Sequence, residues 1–242
     1  MKPIIGIIGK SIKDSDGYSV LGCYNNLRKG IIESGGVPIL LLPPQDMDYE
    51  KIRPIDTPKL TQIEKDDLKA QLCLCDGLVL SGGDKLFEYD DYIYKKALEL
   101  DMPILGICGG MQLMCLSNVS NDNKNIHGEI VKNITKINHF RRNEKYVHKV
   151  LINDNTKLKE IIGNNVINVN SVHNYHLTTS KDMVISALSE DGLIEAVEYS
   201  DKLFVVGVQW HPETMIEYDA YQYKLFNAFI DKCVAYKNKR IF

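Results

Sequence analysis

The sequence of 242 residues contains no long hydrophobic run. A membrane-spanning helix needs about 18 consecutive apolar residues, so none is predicted. The apolar stretch Pro3–Ile8 near the N-terminus is too short for the hydrophobic part of a signal peptide, and no small-residue cleavage site follows it. We therefore expect a soluble, cytoplasmic protein that has no membrane partner.

An excess of charge of one sign is also lacking. Lys and Arg number 29 and Asp and Glu number 32, which leaves a net charge of −3. Basic residues are scattered, apart from the C-terminal run Lys237–Arg240, which we interpret as a solvated tail. No basic field is available to attract phosphates, so a nucleic-acid partner is not expected.

Cysteine occurs six times, but neither as a disulfide framework nor at metal-binding spacing. One residue separates Cys73 from Cys75, whereas zinc sites usually place two to four residues there, and no second Cys or His pair completes a site. A chain of this length buries enough surface to fold without disulfides. We expect no metal and no cofactor, and we interpret most cysteines as small buried hydrophobic residues.

What the sequence does contain is an alternation of apolar strands and amphipathic helices over the first 117 residues, which predicts crossover units and a parallel sheet buried on both faces. Hydrophobic residues make up 44% of the chain and charged residues 25%, as in ordinary globular proteins. The predicted strands are Pro3–Ile8, Val37–Leu42, Gly77–Leu80 and Pro103–Ile107, and the predicted helices are Tyr24–Ser34, Leu60–Leu72, Asp91–Leu100 and Gly110–Leu116.

Closely spaced strands dominate the second half and predict a smaller antiparallel portion with hairpin connections. The predicted strands are Lys145–Ile152, Val166–Val169, Met183–Leu188, Ile194–Tyr199 and Leu203–Val208, before a final helix over Tyr218–Tyr236. The sequence shows no internal repeat or linker, so we predict one α/β domain over residues 1–242, with a mostly parallel central sheet and helices on both faces. The long aperiodic segment Pro43–Pro58 is a candidate mobile loop or lid.

Cys108 is the candidate nucleophile. The strand Pro103–Ile107 runs directly into Cys108-Gly-Gly, and the local pattern Gly106-Ile-Cys-Gly-Gly110 is the thiol version of a nucleophile elbow. Such a turn exposes the sulfur at a helix N-terminus, where the helix dipole favours the thiolate and the next backbone N–H can bind an oxyanion. A buried cysteine after a glycine-rich turn is the structural alternative.

His211 is the candidate base among six histidines because it follows the end of an apolar strand, and functional groups in open α/β sheets gather at the carboxyl ends of strands. Pro212 favours an extended conformation at His211. Glu213 can bond one imidazole nitrogen and orient the other towards the sulfur. Asn174, beside His173, is a weaker alternative partner for a base.

Taken together, these residues resemble the class I glutamine amidotransferase superfamily, and within it the γ-glutamyl hydrolase branch, peptidase family C26, which includes γ-glutamyl-γ-aminobutyrate hydrolases. Nearly the whole chain takes part in the resemblance. The matching segments are Pro3–Ile7, Asp76–Asp84, Leu105–Gln112, Val169–His173, Asp191–Ala196 and Val208–Glu213.

The resemblance implies a flavodoxin-like fold and a triad in which Cys108 is the nucleophile, His211 the general base and Glu213 its orienter. It also implies that the backbone N–H groups of Gly83 and Gly109 form the oxyanion hole. The γ-glutamyl head group would be contacted by Gln112, Ser171 and His173. The implied chemistry is attack on a γ-amide carbonyl, a γ-glutamyl thioester, amine release and hydrolysis, without a metal or cofactor.

The chain departs from the family pattern at three places. Gly109 stands where the family elbow usually has Arg, the Asn-rich segment Ser117–His127 replaces a Gly- and Thr-containing one, and Val172–His176 replaces a His-His-Gln run. These differences lie on the leaving-group side and concern the substrate rather than the chemistry.

Three functions follow. The first is a free-standing hydrolase of a small γ-glutamyl amide, and the second is a glutaminase subunit that supplies ammonia to a separate synthetase partner. The third is a non-catalytic binding protein on the same fold, which the intact triad positions disfavour. Asp191–Glu195 and the absence of a fused synthase domain favour the first. The sequence leaves a homodimer open.

Overall fold

The computed structural model describes residues 1–83, 85–117, 130–132 and 137–240, with the backbone alone at 130–132. The described strands are β1 (Ile4–Ile8), β2 (Lys10–Lys13), β3 (Ser19–Gly22), β4 (Val37–Leu41), β5 (Gly77–Leu80), β6 (Ile104–Ile107), β7 (Ile130–Lys132), β8 (His148–Ile152), β9 (Val166–Val169), β10 (Tyr175–Leu177), β11 (Val184–Ser189), β12 (Ile194–Glu198) and β13 (Val205–Val208). The described α-helices are α1 (Asn25–Glu33), α2 (Gln62–Cys73), α3 (Glu88–Glu99), α4 (Gly109–Leu116), α5 (Lys157–Ile162) and α6 (Ala220–Arg240).

Nine strands form one central sheet in the order β4-β1-β5-β6-β13-β12-β11-β8-β9. The first five run parallel to one another, and the last four continue the same sheet with antiparallel neighbours. Two small antiparallel pairs, β2–β3 and β10–β7, lie outside this sheet. The predicted mostly parallel sheet with an antiparallel portion is confirmed. The strands predicted from Met183 onward belong to the same sheet as the parallel strands, because β13 pairs with β6.

The sheet has a hydrophobic core on each face, as the continuous apolar strands predict. Along β5, Leu78 and Leu80 pack into the core beneath α2, α3 and α4, whereas Val79 packs into the core beneath α1, α5 and α6. Successive side chains of a strand point to opposite faces, so an apolar strand of this kind supplies both cores. Helices therefore cover both faces.

The element predictions need correction at several places. The run Lys237–Arg240 is the last turn of α6 rather than a solvated tail, and Lys237 Nζ lies 2.8 Å from Asp76 Oδ2. α3 begins at Glu88 rather than Asp91, because the Asp90 carboxylate accepts the Phe87 N–H at 2.8 Å and caps the earlier turn. The short helix α5 was not predicted. Thr156 caps it by accepting the Lys159 N–H, and the Glu198 carboxylate accepts the N–H groups of Lys157 and Leu158 at 2.7 and 3.1 Å.

The segment Pro43–Pro58 contains a 3-10 turn at Pro54–Asp56 and is anchored near its middle. Tyr49 is buried, and its ring packs edge-on against Phe87 and Tyr89 with centroid distances of 4.9 and 5.2 Å. A lid role for the segment stays a prediction.

Among the helices described, none combines the length and the apolar character required to cross a bilayer.

The topology brings three chain segments to one edge. β5, β6 and β13 are neighbours and parallel, so the residues that follow their carboxyl ends meet there. These residues are Ser81–Gly83 after β5, Cys108 after β6 and Gln209–Glu213 after β13.

Candidate active site

Cys108 occupies a sharp turn between β6 and α4 with φ 51° and ψ −109°. A positive φ is rare for a residue other than glycine and costs about 1–3 kcal/mol, which the surrounding structure must offset. Part of the offset comes from the Cys108 N–H, which donates to the Val208 carbonyl at 2.8 Å and continues the β6–β13 ladder. The half-buried thiol is thereby held at the N-terminus of α4.

The glycines after Cys108 permit close approach of α4 to the end of β5. A Cβ added to Gly110 would lie 2.0 Å from the Leu80 carbonyl oxygen, and one added to Gly109 would lie 2.3 Å from the Gly83 carbonyl oxygen. Both contacts are with backbone, which cannot move aside as a flexible side chain does. In this chain, a side chain at position 109 would therefore require the Gly83 backbone to shift.

His211 lies next to Cys108 and is paired with Glu213. His211 Nδ1 is 2.8 Å from Glu213 Oε1, and the side chains of the two residues are 17% and 5% exposed. A Cβ added to Gly82 would be 3.1 Å from His211 Cε1 and 3.4 Å from Cys108 Cβ, so the imidazole and the thiol meet over Gly82.

The environment of His211 favours its protonated form. Burial by itself lowers the pKa of His211, but the Glu213 carboxylate and the hydrogen bond and charge of Cys108 outweigh it and raise the pKa well above 6.5. The ring can therefore hold a proton beside the sulfur. A thiol, an imidazole and a carboxylate in this order can act as nucleophile, base and orienter.

The two predicted oxyanion-hole residues also lie together. Gly83 has φ +156°, a conformation open to glycine, and its backbone nitrogen is 3.1 Å from the position that a Gly109 Cβ would occupy. Gly109 follows the sulfur-bearing residue at the start of α4, where backbone N–H groups have no partner within the helix. Asp84, part of the segment that carried the resemblance, lies outside the described residues, as do residues 118–127.

Gln112, a predicted substrate contact, belongs to a short chain of amides that reaches the sulfur. Gln112 Nε2 donates to Gln209 Oε1 at 3.1 Å and lies 3.3 Å from the Tyr175 carbonyl, and Gln209 Nε2 donates to Cys108 Sγ at 3.5 Å. Gln209 was not predicted as a site residue, although it stands in the segment Val208–Glu213. Its position two residues before His211 is the signal that could have identified it.

Asn170 is a second residue that sequence reasoning did not assign. Its Oδ1 accepts the His211 N–H at 2.8 Å, and its Nδ2 donates to the His211 carbonyl at 2.9 Å and to Thr214 Oγ1 at 2.6 Å. Asn170 therefore fixes the backbone that carries the candidate base. Asn174, the alternative partner considered for a base, is exposed.

The other predicted substrate contacts, Ser171 and His173, have buried side chains that face away from solvent. Ser171 Oγ lies 3.4 Å from His139 Nδ1, and His173 Nε2 lies 3.6 Å from Glu195 Oε1. Among the described residues, one group of side chains has ligating atoms close enough together to hold a metal ion. Its members are His139, His148, His173 and Glu195.

Comparison with known proteins identifies the family. The model of the Peptidase C26 family matches residues 87–213, which include the elbow, His211 and Glu213. The chain belongs to the Peptidase C26 family. A protein of Rickettsia prowazekii described as glutamine amidotransferase-like is 28% identical, covering 95% of this chain and 97% of its own.

γ-Glutamyl-γ-aminobutyrate hydrolase PuuD of Escherichia coli is 29% identical over 58% of each chain. A solved structure from Thermoplasma acidophilum, described as that of a GMP synthase protein, matches with a TM-score of 0.66 at 20% identity and covers 100% of this chain and 99% of that one. The chain is thus a glutamine amidotransferase-like hydrolase with the corresponding fold.

Proposed function

We propose that the protein is a free-standing hydrolase of a small γ-glutamyl amide. The observation that carries the proposal is the strained Cys108 elbow, which sets the sulfur beside a His211–Glu213 pair bonded at 2.8 Å. The relative from Escherichia coli, whose name gives γ-glutamyl-γ-aminobutyrate as its substrate, supports the same substrate class.

In the proposed reaction, His211 takes the proton of Cys108, and the thiolate attacks the γ-carbonyl carbon. The N–H groups of Gly83 and Gly109 stabilise the oxyanion of the tetrahedral intermediate. When the C–N bond breaks, His211 gives its proton to the leaving amine, and a γ-glutamyl thioester remains on Cys108. Water, deprotonated by His211, then hydrolyses the thioester, releases glutamate and restores the thiol.

Glu213 and two amide side chains position these groups. Glu213 holds the His211 ring by its Nδ1, so that Nε2 is left to exchange the proton. Asn170 fixes the His211 backbone, and Gln209 donates to the sulfur. These contacts hold nucleophile and base together before the substrate binds, as rapid proton transfer requires.

Steady-state kinetics of the purified chain, without any partner, test the proposal. We expect a higher kcat/KM for γ-glutamyl-γ-aminobutyrate than for glutamine, because a larger leaving group offers binding energy that can be used in the transition state. Cys108→Ala is expected to abolish turnover, His211→Asn to be almost as severe, and Glu213→Gln to be milder.

The outcomes separate the three functions. Turnover of glutamine alone, or none until a synthetase is added, would support the glutaminase reading instead. A chain that turns over neither substrate and forms no γ-glutamyl adduct on Cys108, as read by mass spectrometry of the quenched reaction, would support a binding protein.

A further inference from the structure

Three histidines surround one buried carboxylate on the antiparallel side of the sheet. His148 comes from β8, Glu195 from β12, and His139 and His173 from loops that are joined by a backbone hydrogen bond of 2.9 Å. The side chains are between 0% and 3% exposed. His139 Nδ1, His148 Nε2 and His173 Nε2 each lie 3.6 Å from the same atom, Glu195 Oε1.

The outer nitrogen of each ring faces an acceptor. His139 Nε2 lies 3.1 Å from the Asp191 carboxylate, His148 Nδ1 lies 3.1 Å from the Lys149 carbonyl, and His173 Nδ1 lies 3.0 Å from the Tyr175 carbonyl. Carbonyl and carboxylate oxygens accept hydrogen bonds, so each of these outer nitrogens carries the hydrogen. In the neutral rings, the inner nitrogens therefore present lone pairs to the centre of the cluster.

The lone pairs of the three inner nitrogens and the Glu195 carboxylate repel one another. A cation placed between them would turn this repulsion into attraction. His148 Nε2 and both carboxylate oxygens of Glu195 make no hydrogen bond to any residue that the structure describes, although all three atoms are buried. Such unpaired buried groups are costly, and a buried carboxylate most of all.

We propose that His139, His148, His173 and Glu195 bind a four-coordinate divalent transition-metal ion, with Zn²⁺ the best fit. Bonds of 2.0–2.2 Å to imidazole nitrogen and carboxylate oxygen place tetrahedral ligands about 3.4 Å apart. The three separations of 3.6 Å from Glu195 Oε1 are close to that value, and all ligating atoms lie within 4.8 Å of one another.

The surroundings support the same ion. Asp191 and the carbonyls of Lys149 and Tyr175 accept from the outer ring nitrogens and so allow the inner nitrogens to ligate a metal. Histidines that ligate a metal usually donate their other N–H to a carboxylate or carbonyl in this way. The ion's charge of two would be balanced by Glu195 and Asp191. All four ligands come from the protein and are buried, so the site is structural rather than catalytic.

The cluster is connected to the active-site residues through two contacts. The Tyr175 carbonyl that accepts from His173 also lies 3.3 Å from Gln112 Nε2, and the Glu195 carbonyl accepts the Gln209 N–H at 2.8 Å. A bound ion would therefore hold the strands that carry the amide chain to Cys108. In this arrangement the cluster residues are positioning residues.

Metal titration of the purified, chelator-treated chain tests the proposal. We expect one equivalent of Zn²⁺ to bind and raise the Tm, and one equivalent of Co²⁺ to bind with the intense visible bands of a four-coordinate ion. Cys108→Ala must retain this binding, since the thiolate is another candidate ligand. Asp191→Asn is expected to weaken Zn²⁺ affinity about 10–100-fold.

A matched pair of variants on β12 separates metal binding from general destabilisation. Glu195→Gln is expected to lose the stoichiometric ion and the Co²⁺ bands. Glu198→Gln removes an equally buried carboxylate, which bonds α5 instead, and is expected to lower the Tm while still binding one equivalent.

The proposal is overturned if the wild-type chain takes up neither ion stoichiometrically and its Tm is unchanged. It is also overturned if binding survives Glu195→Gln or is lost in Cys108→Ala. The readouts are metal content, spectrum and Tm, so a failure of the proposed hydrolase activity would leave this test intact.

Discussion

At the scale of the residue, Cys108 combines reactivity with backbone strain. Its φ of 51° and ψ of −109° suit glycine far better than any residue with a Cβ. We expect Cys108→Gly to be about 1 kcal/mol more stable than Cys108→Ala, because relief of about 1–3 kcal/mol of strain exceeds the entropy that glycine adds to the unfolded chain. Urea unfolding of the two inactive variants measures the difference. Equal stability would show that the turn stores no strain.

Local sequence patterns predict some of the active-site residues and miss others. Cys108, His211 and Glu213 were predictable because each lies in a short local pattern at the end of an apolar strand. Asn170 was not, because its bonds to the His211 backbone join positions 41 residues apart. The amide of Gln209 likewise acquires a role only when β13 lies beside β6 and brings it to the sulfur.

At the scale of the element, the approach of α4 to the end of β5 depends on Gly109. A Cβ there would meet the Gly83 backbone at 2.3 Å, so Gly109→Ala must push apart the two N–H groups assigned to the oxyanion. We expect a fall in kcat of about 10²-fold or more, the usual effect of removing one oxyanion donor, together with a loss of about 1–3 kcal/mol of stability.

Gly22→Ala in β3 is the matched control for Gly109→Ala. A Cβ at Gly22 would meet no atom within 4 Å, and its φ lies outside the positive range. This variant is expected to retain wild-type kcat and stability. If Gly109→Ala behaved in the same way, the close packing of α4 on the end of β5 would not be needed for turnover.

Strands with a regular apolar pattern were predicted well, and a helix that depends on distant contacts was not. The predicted strand Gly77–Leu80 agrees with β5 at both ends, and all four of its residues are buried. The predicted strand Val166–Val169 agrees with β9, in which buried Ile167 and Val169 alternate with exposed residues. The six-residue helix α5 is too short to be stable alone. It depends on the Glu198 carboxylate, which lies 40 residues or more along the chain, and no local pattern reveals that contact.

At the scale of the whole molecule, the two halves of the sequence form one sheet because β13 returns to lie parallel to β6. Val208 is registered with Ile107, so the residues after both strands emerge side by side. Hairpin spacing predicted β11, β12 and β13 as neighbours, but a spacing pattern contains no information about which parallel strand they join. The pairing of β13 with β6 is what places His211 beside Cys108.

The contacts of His211 with Cys108 and Glu213 also make the stability of the fold depend on pH. Burial lowers the pKa of His211, but Glu213 and Cys108 outweigh it and raise the pKa above the value of about 6.5 expected in the unfolded chain. A raised pKa in the folded state gives stability that is fully present below about pH 6.5 and is lost as the pH rises through the folded pKa. The free-energy difference between wild type and His211→Asn should therefore be largest in mild acid and shrink towards alkaline pH.

Urea unfolding of both proteins across this range measures the difference, and contributions from the His139 cluster cancel because both proteins contain it. His176→Asn is the matched control. Burial lowers the pKa of His176, so its protonation destabilises the fold and its difference from wild type should change in the opposite direction, in favour of the variant as the pH falls. A His211→Asn difference that stays constant with pH would show that His211 titrates alike in the folded and unfolded chains, and the Glu213–His211–Cys108 contacts would then not favour the imidazolium.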